Sequence, residues 1–262
     1  MQVRTLPAAA GWAWLREGLA LYRRQPFAFT ALVILYSMAL MLIASVPVIG
    51  LPLAAVLVPF GTLGITAAGR DSERNIMPLP SLLIDGFRGR QRNALLQLGA
   101  VHAGLIMVLV LFTSLLARDE LANWTIVEGR VDPASVAGNV PWDAIGLATL
   151  AYTPILMLTW FAPQLVAWHR LPVGKALFFS LFACWRNRWA FLMLAIALAA
   201  LVFAVSWLMS VVVGLLGVSP QLGSLLLAPV ALILTAVAYS TQYPIYRAVL
   251  EPPSVLTAPA AT

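Results

Sequence analysis

Charged residues are scarce in this chain of 262 residues: only 10% are Asp, Glu, Lys or Arg, whereas 61% are hydrophobic. An average soluble domain carries about 25% charged residues, because its whole surface faces water. The scarcity of charge therefore excludes an ordinary soluble domain. Long apolar runs and a mean hydropathy of +0.91 indicate an integral membrane protein instead.

Residues that could form a catalytic or metal site are also few. The chain has one cysteine, Cys184, and two histidines, His102 and His169, which lie in different parts of the sequence. A single cysteine excludes an intrachain disulfide, and no His, Cys or Asp cluster has the spacing of metal ligands. No acidic residue is predicted at membrane depth, since Asp143 stands at the very first position of the fourth predicted span. We therefore expect no enzymatic activity and no cofactor or metal, with Cys184 as a buried or interfacial thiol.

The basic residues are confined to a few segments. Fourteen of the 16 Lys and Arg residues fall in four places: the N-terminal region, 70–92, 169–188 and Arg247. The remaining two belong to an acidic loop at 118–142. By the positive-inside rule, the basic segments and both termini are cytoplasmic and the acidic loop lies outside. Since no soluble basic face is visible, we expect no nucleic-acid partner.

Apolar runs of about 20 residues predict six transmembrane helices. They cover about 28–47, 52–69, 94–117, 143–167, 189–214 and 224–246. Amphipathic helices are predicted before the first, third and fifth spans, at 8–25, 81–93 and 173–188. The predicted fold is thus an all-α polytopic membrane protein with six spans and three amphipathic helices on the cytoplasmic face.

An even number of spans in each unit indicates three parallel repeats, at about 8–69, 81–167 and 173–248. Residues 1–250 are predicted to form a single membrane domain. The Pro- and Ala-rich tail at 251–262 is predicted to be disordered.

Clusters of arginine lie where each amphipathic helix meets the following span. Their members are Arg16, Arg23, Arg24, Arg88, Arg90, Arg92, Arg186 and Arg188. Such helices suit a membrane surface rich in anionic headgroups, which makes membrane lipids the expected partners. The alternative is that the helices pack on the protein's own cytoplasmic face.

Prolines occur in each even-numbered predicted span and free backbone carbonyls, which must find partners or line a cavity. A polar pocket near the cytoplasmic face is one interpretation, with these candidate residues: His102, Gln164, His169, Tyr239, Thr241, Gln242 and Tyr243. An interfacial aromatic belt with ordinary interhelical hydrogen bonds is the alternative. For His102, the alternative is a neutral side chain bonded to a neighbouring helix.

Small residues recur at four-residue spacing in the fifth span, at Ser206, Ser210 and Gly214. This spacing lets helix backbones approach closely. Packing within the chain is the expected use. A homodimer face is the alternative, and a homo-oligomer or a partner membrane protein is possible for the chain as a whole.

One set of residues, from the fourth span through the third amphipathic helix, carries a resemblance to a known family. It consists of Trp160, Phe161, Ala162, Pro163, Leu165, Val166, His169, Pro172, Ala176, Leu177, Ser180, Cys184 and Asn187. This stretch resembles a six-span family of Gram-negative bacterial inner-membrane proteins. It is also distantly similar to the membrane domain of some glycerophosphodiester phosphodiesterases. The resemblance implies location and topology, and it brings no catalytic residue with it.

These features favour a non-enzymatic inner-membrane scaffold that interacts with lipids or a partner protein. The alternative is a transporter or lipid-handling protein with a polar pocket between the even-numbered spans. A continuous cavity that includes Gln164, Gln242 and His102 would favour the alternative, whereas a solid core would favour the scaffold.

Overall fold

The computed structural model describes residues 3–127, 130–215, 217 and 220–250, whose regular secondary structure is helical apart from one two-stranded hairpin. The predicted tail at 251–262 lies outside these residues. The elements in chain order are α1 (Ala10–Arg24), α2 (Pro26–Ala44), α3 (Gly50–Glu73), α4 (Leu82–Arg88), α5 (Arg92–Leu116), α6 (Arg118–Ala122), β1 (Ile126–Val127), β2 (Arg130–Val131), α7 (Pro133–Gly138), α8 (Trp142–Thr159), α9 (Ala162–Ala167), α10 (Val173–Arg186), α11 (Arg188–Leu215), α12 (Pro220–Ser240) and α13 (Gln242–Leu250).

Five stretches of the described chain are long and apolar enough to cross a membrane. They are α2, α3, α5, the stretch Trp142–Ala167 and α11. The prediction of an all-helical protein with several membrane spans is therefore confirmed. The sixth predicted span, at 224–246, stays a prediction, because some of its side chains lie outside the description.

Proline sets several helix boundaries, since it lacks an N–H but fits the first turn of a helix. Pro26 is the first residue of α2 and separates it from α1. Pro133 begins α7, where the Asp132 carboxylate accepts a hydrogen bond from the Ala134 N–H at 3.0 Å. Pro59 and Pro154 instead lie inside α3 and α8.

The three helices at the positions predicted to be amphipathic are α1, α4 and α10. Each of them packs on membrane helices other than the span that directly follows it in sequence. α4 packs on α3, α10 packs on α8 and α9, and α1 packs on α11 and α12. We call the end of the bundle that carries these three helices the basic face. Small residues permit two of the close contacts: Gly18 meets Thr241, and Gly86 meets Phe60. A side chain larger than hydrogen at either glycine would collide with its neighbour.

The first of these helices is buried in protein on one side. Gly11, Trp14, Leu15 and Leu21 of α1 are buried, and the Trp14 ring lies 5.4 Å from that of Phe191. For α1, the apolar side thus packs on the protein itself rather than on lipid.

The predicted fourth span is interrupted near the basic face, where α8 ends and α9 begins. The hydroxyl of Ser180, from α10, lies between two backbone groups that a continuous helix would join. The Phe161 N–H donates to Ser180 Oγ at 2.9 Å, and Ser180 Oγ donates to the Met157 carbonyl at 2.8 Å. Because backbone groups inside a membrane protein need protein partners, this buried hydroxyl stabilises the break.

Replacing Ser180 with alanine is expected to destabilise the protein by about 1–3 kcal/mol, because the two backbone groups lose their shared partner. Thermal unfolding in one detergent would show this as a lower midpoint. Ser210→Ala is the matched control, since Ser210 Oγ bonds to the Ser206 carbonyl of its own helix and to no other described group. An unchanged midpoint for Ser180→Ala would show that the helix closes without the hydroxyl.

Candidate functional site

A cavity of about 620 Å³ lies between the membrane helices. Residues from α2, α3, α5, α8, α9, α11 and α12 line it, together with the start of α13. Its volume falls within the range of small-molecule sites, about 300–1,000 Å³. The described lining contains no Asp, Glu, Lys or Arg. Its main polar side chains are Tyr36, Thr62, His102, Tyr152, Thr159, Ser206, Ser210, Thr235, Tyr239, Thr241 and Gln242.

The polar groups of α2 and α5 enter the cavity at similar depth. Tyr36 and His102 each lie about ten residues into their helices, or roughly 15 Å from the basic face at 1.5 Å per residue. Leu198 occupies the corresponding position of α11 and also lines the cavity. The cavity therefore reaches the middle of the membrane helices.

Three polar side chains from three helices meet where the cavity closes toward the basic face. Gln164 Nε2 in α9 donates to Thr66 Oγ1 in α3 at 2.8 Å. The Thr66 hydroxyl lies 3.1 Å from Gln242 Oε1, at the start of α13. Thr66 is 0% exposed and Gln164 is 2% exposed. We call these three residues the amide cluster.

Two buried polar atoms beside the cavity have no hydrogen-bond partner in the described part of the chain. They are Gln164 Oε1 and His102 Nδ1. His102 lines the cavity and is only 6% exposed. A buried polar atom without a partner costs about 1–3 kcal/mol.

The cavity has a side opening between membrane helices. α8 packs against α5 and α10, and it makes no extended contact with α11 or α12 among the described residues. Tyr152 of α8 and Val202 of α11 both line the cavity, yet they are 37% and 45% exposed. In a bilayer, this opening faces hydrocarbon rather than water.

In the part of the chain that the structure describes, the small residues of the fifth predicted span are not at a close contact between two helices. Ser206 and Ser210 line the cavity and are exposed. A side chain added at Gly214 would meet no described atom within 4 Å. The expectation of close packing within the chain at these residues is thus wrong for the part that the structure describes.

The structure divides the predicted pocket residues into two groups. His102, Tyr239, Thr241 and Gln242 line the cavity, and Gln164 lies behind its closed end. The other two residues do not line the cavity. His169 Nε2 lies 2.7 Å from the Tyr246 hydroxyl, and Tyr243 packs against Gly69. Burial lowers the pKa of His169, which keeps its ring neutral near pH 7.

Several site residues were missed by sequence reasoning: Tyr36, Thr62, Thr66 and Tyr152. Each lies in an apolar helix with no local sign of a shared site. Thr62 and Thr66 are four residues apart, on one side of the proline-containing α3, which is the one available signal. Pro59 and Pro163 do line the cavity.

The predicted basic residues surround the closed end on the outside. All eight arginines are exposed. Arg188 lies over the rings of Trp185 and Trp189, at 5.4 and 5.5 Å from their centroids. Arg247, at the same end, forms ion pairs with Glu17 at 2.8 Å and with Glu73.

Cys184 lies in α10 and is buried, and burial raises the pKa of its thiol. A protonated, enclosed thiol is a poor nucleophile. No group of three or more metal-binding side chains occurs among the residues that the structure describes.

A protein of Burkholderia thailandensis named "Probable inner membrane protein" is similar to this chain. The two are 35% identical over 256 residues, which cover 94% of this chain and 93% of the relative. No family model matches the chain. No solved structure shows significant similarity to it.

We expect Thr66→Val and Gln164→Leu each to destabilise the protein by about 1–3 kcal/mol, because each leaves a buried polar partner unpaired. The double variant should lose less unfolding free energy than the two single variants lose together, with a coupling energy of about 0.5–3 kcal/mol. Equilibrium unfolding in detergent would measure all three variants. Thr153→Val is the control, since that exposed hydroxyl bonds only within α8. If the free-energy losses of the two single variants add up to that of the double variant, a direct contact between Thr66 and Gln164 is contradicted.

Cys184 is expected to resist N-ethylmaleimide in the folded protein and to react fully after denaturation. Mass spectrometry of the intact chain would count the added groups. Rapid modification at pH 7 in the folded state would contradict the buried placement of the thiol.

Proposed function

The chain belongs to the family of the Burkholderia thailandensis inner membrane protein, and from this premise we propose that its central cavity binds an amphipathic lipid. The membership supports the expected resemblance to inner-membrane proteins of Gram-negative bacteria, and the apolar helices agree with that location. The cavity is the observation that carries the proposal. It favours the lipid-handling alternative over a solid scaffold.

The position of the opening supports a ligand that arrives from the bilayer. The opening lies between α8 and α11, at the depth of the apolar helices. A molecule that is already dissolved in the membrane would enter there without crossing water. The amide cluster closes the path toward the basic face, so binding or transfer within the bilayer fits better than a continuous pore.

We also propose the topology that the charge pattern predicts: six spans in three parallel units, with both termini cytoplasmic. The ring of contacts supports this arrangement, because α4 packs on the hairpin of α2 and α3, and α10 packs on that of α8. α1 completes the ring on α11 and α12. The exposed arginines of the basic face would then meet anionic headgroups of the inner leaflet.

A scaffold that packs against a partner membrane protein is the second candidate. An exposed aromatic strip on α10 and the start of α11 favours it, and this strip includes Phe178, Phe182, Trp185 and Trp189. Exposed apolar strips of this kind occur at protein and lipid contacts.

Filling the cavity tests the proposal. Leu198→Trp places a larger ring in the cavity and is expected to remove a lipid that the purified wild-type protein retains, as counted by native mass spectrometry. Ile196→Trp is the control, since Ile196 lies on the exposed side of the same helix. Equal lipid retention by both variants and the wild type would contradict the proposal and favour the scaffold.

A further inference from the structure

The lining of the cavity restricts the headgroup that it can hold. No Asp, Glu, Lys or Arg is present among the described lining residues. A charged group without a partner is costly to bury in a medium of low dielectric constant. Two arginines near the closed end are already paired: Arg70 contacts Asp71 at 3.1 Å, and Arg247 contacts two glutamates. A phosphate group inside the cavity would therefore find no compensating cation.

Uncharged polar side chains in the lining point to a hydroxyl. His102 and Gln242 both line the cavity, and His102 Nδ1 has no hydrogen-bond partner in the described part of the chain. A neutral histidine nitrogen either donates or accepts, according to its tautomer. A ligand hydroxyl can do both, so it would pair with either tautomer. The Gln242 amide supplies a second donor or acceptor.

The rest of the cavity suits a hydrocarbon chain. Leu194, Leu198 and Val202 form a row at four-residue spacing along α11, and Leu227 and Leu234 lie on α12. Side chains at this spacing share one face of a helix. This apolar wall runs from the closed end toward the side opening.

We propose that the cavity binds a neutral, hydroxyl-bearing lipid, with the hydroxyl at His102 and Gln242 and the acyl chains along α11 and α12. The inference rests on the proposed function and adds the class of ligand. The neutral lipid in the cavity would thus differ in headgroup charge from the anionic phospholipids that would meet the arginines of the basic face.

Photolabelling of the full chain in nanodiscs would test this assignment. The two probes are a diacylglycerol and a phosphatidic acid that carry the same diazirine acyl chain. The diacylglycerol is expected to label cavity-lining peptides of α11 and α12 several-fold more than the phosphatidic acid. Unlabelled dioctanoylglycerol should compete with this labelling.

Three variants test the contacts with the hydroxyl. His102→Leu and Gln242→Leu should each reduce cavity labelling by the diacylglycerol about fivefold, the effect of one lost hydrogen bond. His102→Asn should retain more labelling than His102→Leu, because it keeps polar groups near the same position. His169→Leu is the control, since His169 lies outside the cavity. Unfolding midpoints would identify a variant that fails to fold, and the remaining variants would then decide.

The outcomes separate the two proposals. Equal or stronger cavity labelling by phosphatidic acid would overturn the neutral headgroup and leave lipid binding intact. Unchanged labelling in both leucine variants would overturn the hydroxyl contacts. Absence of cavity labelling by either probe would overturn the proposed function itself.

Discussion

The meeting of Thr66, Gln164 and Gln242 is the contact on which the arrangement of the membrane helices depends. One residue comes from each of α3, α9 and α13, so their hydrogen bonds join three helices that are far apart in sequence. In hydrocarbon, a polar side chain cannot form hydrogen bonds with water. Separating these helices would therefore leave amides unpaired. The cluster therefore closes the bundle at one end, and the cavity occupies the space beyond it.

The basic face supports this closed end from outside, through contacts of unequal strength. Arg247 forms ion pairs with Glu17 and Glu73 and thereby joins α13 to α1 and α3. Partly exposed ion pairs contribute at most about 1 kcal/mol each. The buried hydroxyl of Ser180 and the close approach at Gly18 matter more, because loss of either would leave unpaired backbone groups or a steric collision. Shape and buried hydrogen bonds, rather than surface charge, hold these helices in place.

Sequence reasoning named some of the residues that line the cavity and two that do not. His102 and Gln242 were predictable, since ionisable or amide side chains in apolar helices are rare and need partners. His169 and Tyr243 follow the breaks that end α8 and α12, and neither residue lines the cavity. Tyr36 and Thr66 were missed because a tyrosine or threonine in an apolar helix is common. Only their neighbours in other helices make these two residues part of a site.

Composition and the long apolar runs by themselves indicated a helical membrane protein, because charge is scarce and runs of about 20 apolar residues fit membrane-spanning helices. The positions of the arginines likewise located the basic face, since charge cannot easily enter hydrocarbon. Only the tertiary structure shows which membrane helices α1, α4 and α10 pack on. Only the tertiary structure shows that a cavity exists. Both depend on contacts between distant residues, such as Ser180 with Phe161, whose geometry no local pattern encodes. A cavity is the space that packed helices leave between them, so no single stretch of sequence predicts it.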